Sequence, residues 1–186
     1  PGELRLTLPT GLGTVVRVMW QYTGSKRPPF ADEPGPGQES VWDYPRPPAL
    51  ELSSSEVVVR AGEIELCRST RCHRVLETAS PPTWYIPADD VNQDALVAVA
   101  GSSFCEWKGA AAYWGLPSTG EMVGWSYPEP TARFVALRGA FSFYPGRVAC
   151  FVDGERVRPQ PGSFYGGWVT GEIVGPMKGE PGTGHG

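Results

Sequence analysis

The sequence predicts a mostly β protein: a compact antiparallel sheet domain with one short helix, flanked by irregular arms rich in proline and glycine. Three observations carry that expectation. Apolar residues alternate with polar ones in short runs instead of recurring at helical spacing. The 24 glycines and 20 prolines among 186 residues fall between those runs, where they act as turns. Seven tryptophans, seven tyrosines and seven phenylalanines are too many rings for a disordered chain. A chain of this length buries a real core. It divides into an N-terminal arm over residues 1–55, a β-rich core over 56–157, and a C-terminal arm and loose tail over 158–186.

In the N-terminal arm, residues 14–22 (TVVRVMWQY) read as a short strand or helical turn, and four prolines between positions 28 and 36 make the next piece irregular. The string ESVWDYPRPP at 39–48 is stiffened by Pro45, Pro47 and Pro48, so Trp42, Tyr44 and Arg46 sit on an extended segment able to wrap over the core. From position 56 the chain turns β-rich. Residues 56–60, the Ala61-Gly62 turn and residues 63–67 form a hairpin with Val57, Val59, Ile64 and Leu66 as its apolar alternators. Residues 75–78 and 83–87 are further strands. Asp90, with Gln93 three residues on, fits the N-cap of the short helix, placed near residues 91–99.

The central strand is CEWKGAAAYW at 105–114. Extended throughout, it puts Trp107, Gly109, Ala111 and Tyr113 on one face and Glu106, Lys108, Ala110, Ala112 and Trp114 on the other. Small residues beside large rings leave room for a planar group, and a lysine among rings is a handle for an anionic or carbonyl group. Equally, the same pattern describes a core strand whose lysine snorkels to water. Strands at 122–127 and 134–144 follow. A YPGR turn at 144–147 then leads into 148–152, and Asp153-Gly154 closes a hairpin onto 155–157. Two internal echoes stand out. WDYPRP at 42–47 repeats as WSYPEP at 125–130, with Arg46 matched by Glu129 as a candidate ion pair, and Trp107-Lys108-Gly109 repeats as Met177-Lys178-Gly179.

Charge and cysteine content narrow the function. The formal net charge of −4 and the lack of a Lys/Arg cluster argue against nucleic acid and anionic membrane as partners. No apolar run is long enough to span a bilayer. The opening residues PGELRLTLPTGLG have neither the basic region nor the apolar core of a signal peptide, so a cytoplasmic location is expected. Cys67, Cys72, Cys105 and Cys150 include no C-x-x-C pair; they read as reduced thiols, with no metal and no cofactor indicated. Cys105 is the one placed beside a cation, Lys108, which favours a thiolate. Asp89 and Asp90 are adjacent, and adjacent side chains diverge, so they read as a cap before a metal site.

Taken together, ESVWDYPRPP, the hairpin at Gly62, WYIP with Asp90, CEWKG with Tyr113-Trp114, the W-x-YP at Trp125 and GAFSFYPGRV at 139–148 resemble the family catalogued as domain of unknown function 427, across residues 56–157 and both flanks. That resemblance implies an Mss4-like β-tent fold. Its relatives' zinc does not carry over, because their paired cysteines are missing here. The family's nucleotidyltransferase-like label implies a Gly-Ser turn followed by D-x-D carboxylates; Gly101-Ser102 is present and the D-x-D is not.

Three functions remain open on the residues alone. One is a small-molecule binding or catalytic domain for a planar or anionic ligand, with a pocket formed by Trp107, Lys108, Trp125, Tyr127 and Tyr85, Cys105 beside them, and Trp42, Tyr44 and Arg46 folded over from the arm. Another is a metal-dependent nucleotidyltransferase. The last is a non-catalytic protein-interaction module whose rings are contact anchors. The sequence sets no oligomeric state.

Overall fold

The computed structural model describes residues 21–162 and 165–181. The expected element at 14–22 falls almost wholly outside them. Among the described residues there are fifteen short strands. The first six are β1 (Glu39–Ser40), β2 (Ala49–Ser53), β3 (Val57–Ala61), β4 (Ile64–Ser69), β5 (Cys72–Glu77) and β6 (Ser80–Tyr85). Next come β7 (Val97–Cys105), β8 (Gly109–Gly115), β9 (Met122–Ser126), β10 (Phe141–Phe143), β11 (Ala149–Val152) and β12 (Glu155–Arg156). The C-terminal segment adds β13 (Arg158–Pro159), β14 (Trp168–Val169) and β15 (Ile173–Val174).

These strands build a four-stranded sheet in the order β10-β9-β8-β7, a second in the order β12-β11-β3-β4, and a three-stranded sheet β2-β5-β6, all antiparallel. The arms add two-stranded pairs: β1 runs parallel to β15, and β13 antiparallel to β14. The protein is therefore mostly β, as its alternating runs require. Among the described residues no helix is long and apolar enough to cross a membrane.

The β3–β4 and β11–β12 hairpins form where Gly62 and Asp153-Gly154 predict them, with Asp153 and Gly154 both at positive φ. Ile64, expected on the inner face with Leu66, is exposed. A register shift between Val59 and Arg60 re-aims the end of the hairpin, so that Leu66 and Cys67 are both buried and Ile64 faces out.

Other expectations are corrected. No α-helix occupies residues 91–99: two single 3₁₀ turns, Ala88–Asp90 and Gln93–Ala95, lead directly into β7. The Asp90 carboxylate does not cap; it accepts from Ser69 Oγ at 2.6 Å and from the Arg71 guanidinium at 2.8–2.9 Å. Val97 and Val99, β-branched and paired with Gly115 and Tyr113, take the sheet instead. CEWKGAAAYW is not one extended strand either. The chain reverses over Glu106, Trp107 and Lys108, pairing Cys105 with Gly109, whose φ of +100° a β-carbon would strain. Residues 134–144 split into a 3₁₀ segment, Ala132–Leu137, which buries Phe134 and Leu137 one turn apart, and the strand β10. The YPGR turn forms but carries the chain between two sheets, since β10 pairs β9 and β11 pairs β3.

Among the described residues, apolar side chains gather in three clusters. The main one packs Val57, Val59, Leu66, Trp84, Phe143 and Trp168 with their neighbours, and includes Cys67, Cys72 and Cys150 as free, buried thiols. Burial pushes Cys72 up to about 11 and the other two higher, so all three are thiols at neutral pH. A second cluster holds Val41, Trp42 and Tyr44 against Leu76, Val169, Ile173 and Met177, joining the two arms. The third, with Tyr85, Trp125, Tyr127, Phe134 and Leu137, backs the cavity described below.

Trp168 is fully buried in the main cluster, its ring centroid 6.1 Å from that of Trp84 and its indole donating to the Phe143 carbonyl at 2.9 Å. Trp168→Ala should cost about 3–5 kcal/mol, read as a lower urea midpoint; an unchanged midpoint would show that the C-terminal segment does not stabilise the core. Hydrogen bonds from Arg71, then Ser69, hold the Asp90 carboxyl below its usual range against an opposing effect of burial. A depressed folded pKa gives stability that is present above the unfolded pKa and lost as pH falls through the folded one. Asp90→Asn is expected to be less stable at pH 7 and to lose less on acidification, and urea midpoints falling in parallel for both proteins between pH 7 and pH 3 would contradict this.

Candidate functional site

A cavity of about 620 Å³ opens between the β5–β6 hairpin, the β7–β8 turn, β9, the Tyr144–Arg147 turn and the C-terminal segment around Gln160, Tyr165 and Lys178. Its position follows from strand geometry. Along β6 the side chains alternate, so Trp84 enters the main core while its neighbour Tyr85 enters the cluster behind the cavity. Tyr85 is fully buried, and its ring lies 6.3 Å from Trp125 edge-on and 6.2 Å from Tyr127. The Trp125 indole N–H donates to the Tyr85 hydroxyl at 3.4 Å, and the Tyr144 ring sits 4.5 Å from Trp125. Burial pushes the Tyr85 and Tyr127 phenols well above their usual value, so both remain protonated at neutral pH.

Lys108 is the buried charged group of this wall among the described residues. It is 8 % exposed and lines the cavity, with its ammonium 5.9 Å from the ring centroids of both Tyr127 and Phe134. Among the described residues it has neither an ion pair nor a side-chain hydrogen bond, whereas its own backbone is fixed by the Thr131 N–H donating to the Lys108 carbonyl at 3.2 Å. The turn that ends β7 thus holds the lysine stem against two rings and leaves its charge to the cavity. Rings attract a cation through their quadrupole but offer it no proton acceptor as strong as a carboxylate. The neighbouring Trp107 indole N–H is likewise buried without a hydrogen-bond partner among the described residues.

Of the residues expected to form the pocket, Tyr85, Cys105, Trp107, Lys108, Trp125 and Tyr127 come together on this cavity. Trp42, Tyr44 and Arg46 do not. The arm wraps the opposite side of the β5–β6 hairpin, where Trp42 donates to the Pro176 carbonyl at 2.9 Å and Tyr44 to Glu39 at 2.6 Å. Arg46, its side chain 4 % exposed, pairs with Glu77 at 2.9 Å; Glu77 lines the cavity and Arg46 stands behind it. The expected Arg46–Glu129 pair does not form, since Glu129 meets Arg138 at 3.7 Å. Arg147, Tyr144, Tyr165 and Lys178 join the wall without having been anticipated. The signal for Lys178 was the repeated Lys-Gly: Gly109 and Gly179 share φ values of +100° and +105°, and both preceding lysines face one cavity. Lys178 lies 5.2 Å from the Tyr165 ring, and Gly166 seats on Trp125 so closely that a β-carbon there would overlap the indole.

The carboxylates on the cavity are Glu77, engaged by Arg46, and the exposed Glu106. Among the described residues no three His, Cys, Asp or Glu side chains gather as a metal site. The family model described as domain of unknown function (DUF427) matches residues 49–154, a stretch that carries Tyr85, Lys108, Trp125, Tyr127 and Arg147 but not Tyr165 or Lys178. No curated protein matches the chain.

Two of the buried cations, Arg46 and Lys108, make opposite predictions. Arg46→Met strands Glu77, which is 25 % exposed, and should cost about 2 kcal/mol, less than for a fully enclosed pair. Lys108→Met removes an unpaired charge and keeps the apolar stem, so it should leave the melting temperature unchanged or higher. Thermal melts of both variants check this, and an equal loss in the two would overturn the assignment of Lys108.

Proposed function

The chain belongs to the DUF427 family, and we propose that its cavity binds a small planar organic anion. One observation carries the reading: a buried lysine without a carboxylate partner among the described residues faces a cavity walled by tyrosine and tryptophan. A protein interior does not hold an uncompensated ammonium without cost. A bound carboxylate supplies the missing partner through charge-assisted hydrogen bonds. Its aromatic body then stacks on Trp125, Tyr127 or Tyr144, each such contact adding about 1 kcal/mol beyond area burial. The protonated Tyr85 and Tyr127 hydroxyls and the Trp107 N–H are further donors for polar substituents. Orientation comes from these few polar groups and affinity from the rings, the usual division of labour in a ligand pocket.

Nucleotidyl transfer would instead require carboxylates to hold a metal against a triphosphate, and no observation favours it over the first reading. A protein-contact role has one observation behind it. Phe104, 78 % exposed, stands at the β7–β8 turn on the rim of the cavity, where a partner's side chain would meet it.

Aromatic carboxylates such as benzoate and its ring-substituted relatives should raise the melting temperature in a concentration-dependent way. Lys108→Met should weaken them by about ten- to a hundredfold in titration calorimetry, the loss of one hydrogen bond to a charged group. Lys108→Arg should retain part of the affinity. Full affinity in Lys108→Met would show that the lysine is scaffold, and binding of a peptide or protein that Phe104→Ser abolishes would favour the contact reading.

A further inference from the structure

We propose that the shallow basic groove adjoining the cavity is a phosphate-binding subsite, so that the ligand is an aromatic molecule bearing a phosphate monoester. The inference rests on the cavity reading for the ring and on independent residues for the phosphate. The groove, about 190 Å³, is lined by Arg60, Gly62, Gly146, Arg147, Ala149 and Arg156 among others, and among the described residues no acidic side chain lines it. Arg147 lines both the groove and the cavity, which makes the two spaces neighbours across a single side chain.

Two of the three arginines of this groove lie against rings and not against carboxylates. Arg27, Arg46, Arg68, Arg71 and Arg74 each meet at least one carboxylate within 3.2 Å, as expected of a chain with net charge −4. Arg147 and Arg156 meet none among the described residues. Each is held by a ring instead: the Arg147 guanidinium lies 4.7 Å from the Tyr144 centroid and donates to the Met122 carbonyl at 2.6 Å, and that of Arg156 lies 5.3 Å from Phe151. Stacking fixes the plane of a guanidinium without using its in-plane N–H donors. Arg60 comes from the neighbouring strand β3, where it pairs with Ala149 of β11, and gives one nitrogen to Glu65 at 3.1 Å. Three arginines on one groove, two of them without a carboxylate among the described residues, suit the three oxygens of a phosphate monoester better than a single carboxylate. The shared Arg147 places that phosphate at the mouth of the cavity, with the ring directed inward toward Tyr144 and Trp125.

The test uses inorganic phosphate, benzoate and phenyl phosphate as probes, by titration calorimetry on the full chain at constant ionic strength with sodium chloride as the control. Phenyl phosphate, whose ring enters the cavity without a carboxylate for Lys108, should bind more tightly than inorganic phosphate. Arg156→Gln, an exposed position, should weaken phosphate and phenyl phosphate by about tenfold or more and leave benzoate unchanged; the Arg60→Gln/Arg156→Gln double variant should lose inorganic phosphate altogether. Lys108→Met should do the reverse, weakening benzoate and sparing inorganic phosphate. If phosphate binding depends on Arg156 while benzoate binds nowhere, the cavity reading fails and the groove stands as a phosphate site. If phosphate heats match sodium chloride, or if both arginine variants bind it like the unmodified protein, the subsite is overturned.

Discussion

The fold depends on what strand β6 does with two adjacent rings. Trp84 and Tyr85 point to opposite sides, one into the main core and one toward the cavity, because successive residues of a strand must. The same strand joins the three-stranded sheet through β5, the β10-β9-β8-β7 sheet through the reciprocal Ile86–Phe141 hydrogen bonds at 2.7 and 2.8 Å, and the C-terminal segment through the Trp84–Trp168 contact. Small sheets with short strands cannot bury much area each. Sharing this strand joins them, and its Tyr85 lines the cavity.

Charge is distributed unevenly around that frame. On the arm side every buried cation is matched: Arg46 meets Glu77, and Arg74 reaches Glu39 and Glu51 while lying 5.8 Å from the Trp84 ring. Such pairs offset the cost of desolvation and fix the arm on the β5 strand, with Tyr44 and Arg74 both on Glu39. On the cavity side the cations are held by rings, Lys108 on Tyr127 and Phe134, Arg147 on Tyr144, Lys178 on Tyr165. A ring holds a cation without neutralising it. That difference in partners separates the face that supports the fold from the face that has charge to offer a ligand.

The C-terminal segment is part of the site as well as of the core. Gly166 and Gly167 pass where no side chain fits, one against Trp125 and the other against Gln160 and Pro81, and the Gln160 side chain ties the Gly167 N–H to the Lys178 carbonyl. A stretch that reads as an irregular tail is therefore a closely fitted wall, held by backbone hydrogen bonds and by Trp168.

The sequence by itself determined the fold class, the β3–β4 and β11–β12 hairpins, the family, and the clustering of Tyr85, Trp107, Lys108, Trp125 and Tyr127 as residues of interest. Alternation and glycine turns are local properties, and local sterics set them. Only the tertiary structure decided what those properties leave degenerate. Val97 and Val99 join a strand because β8 is there to pair with them, and the Asp90 carboxylate is taken up by Arg71 and Ser69 from outside its own turn. The arm carries prolines, a tryptophan, a tyrosine and an arginine that suit a lid, yet it wraps the other face of the hairpin, where its Arg46 meets Glu77 of β5 and its Glu39 meets Arg74 of β5. Which side of a strand a distant segment covers is a long-range choice among partners of similar chemistry. No window of neighbouring residues contains the information that makes it.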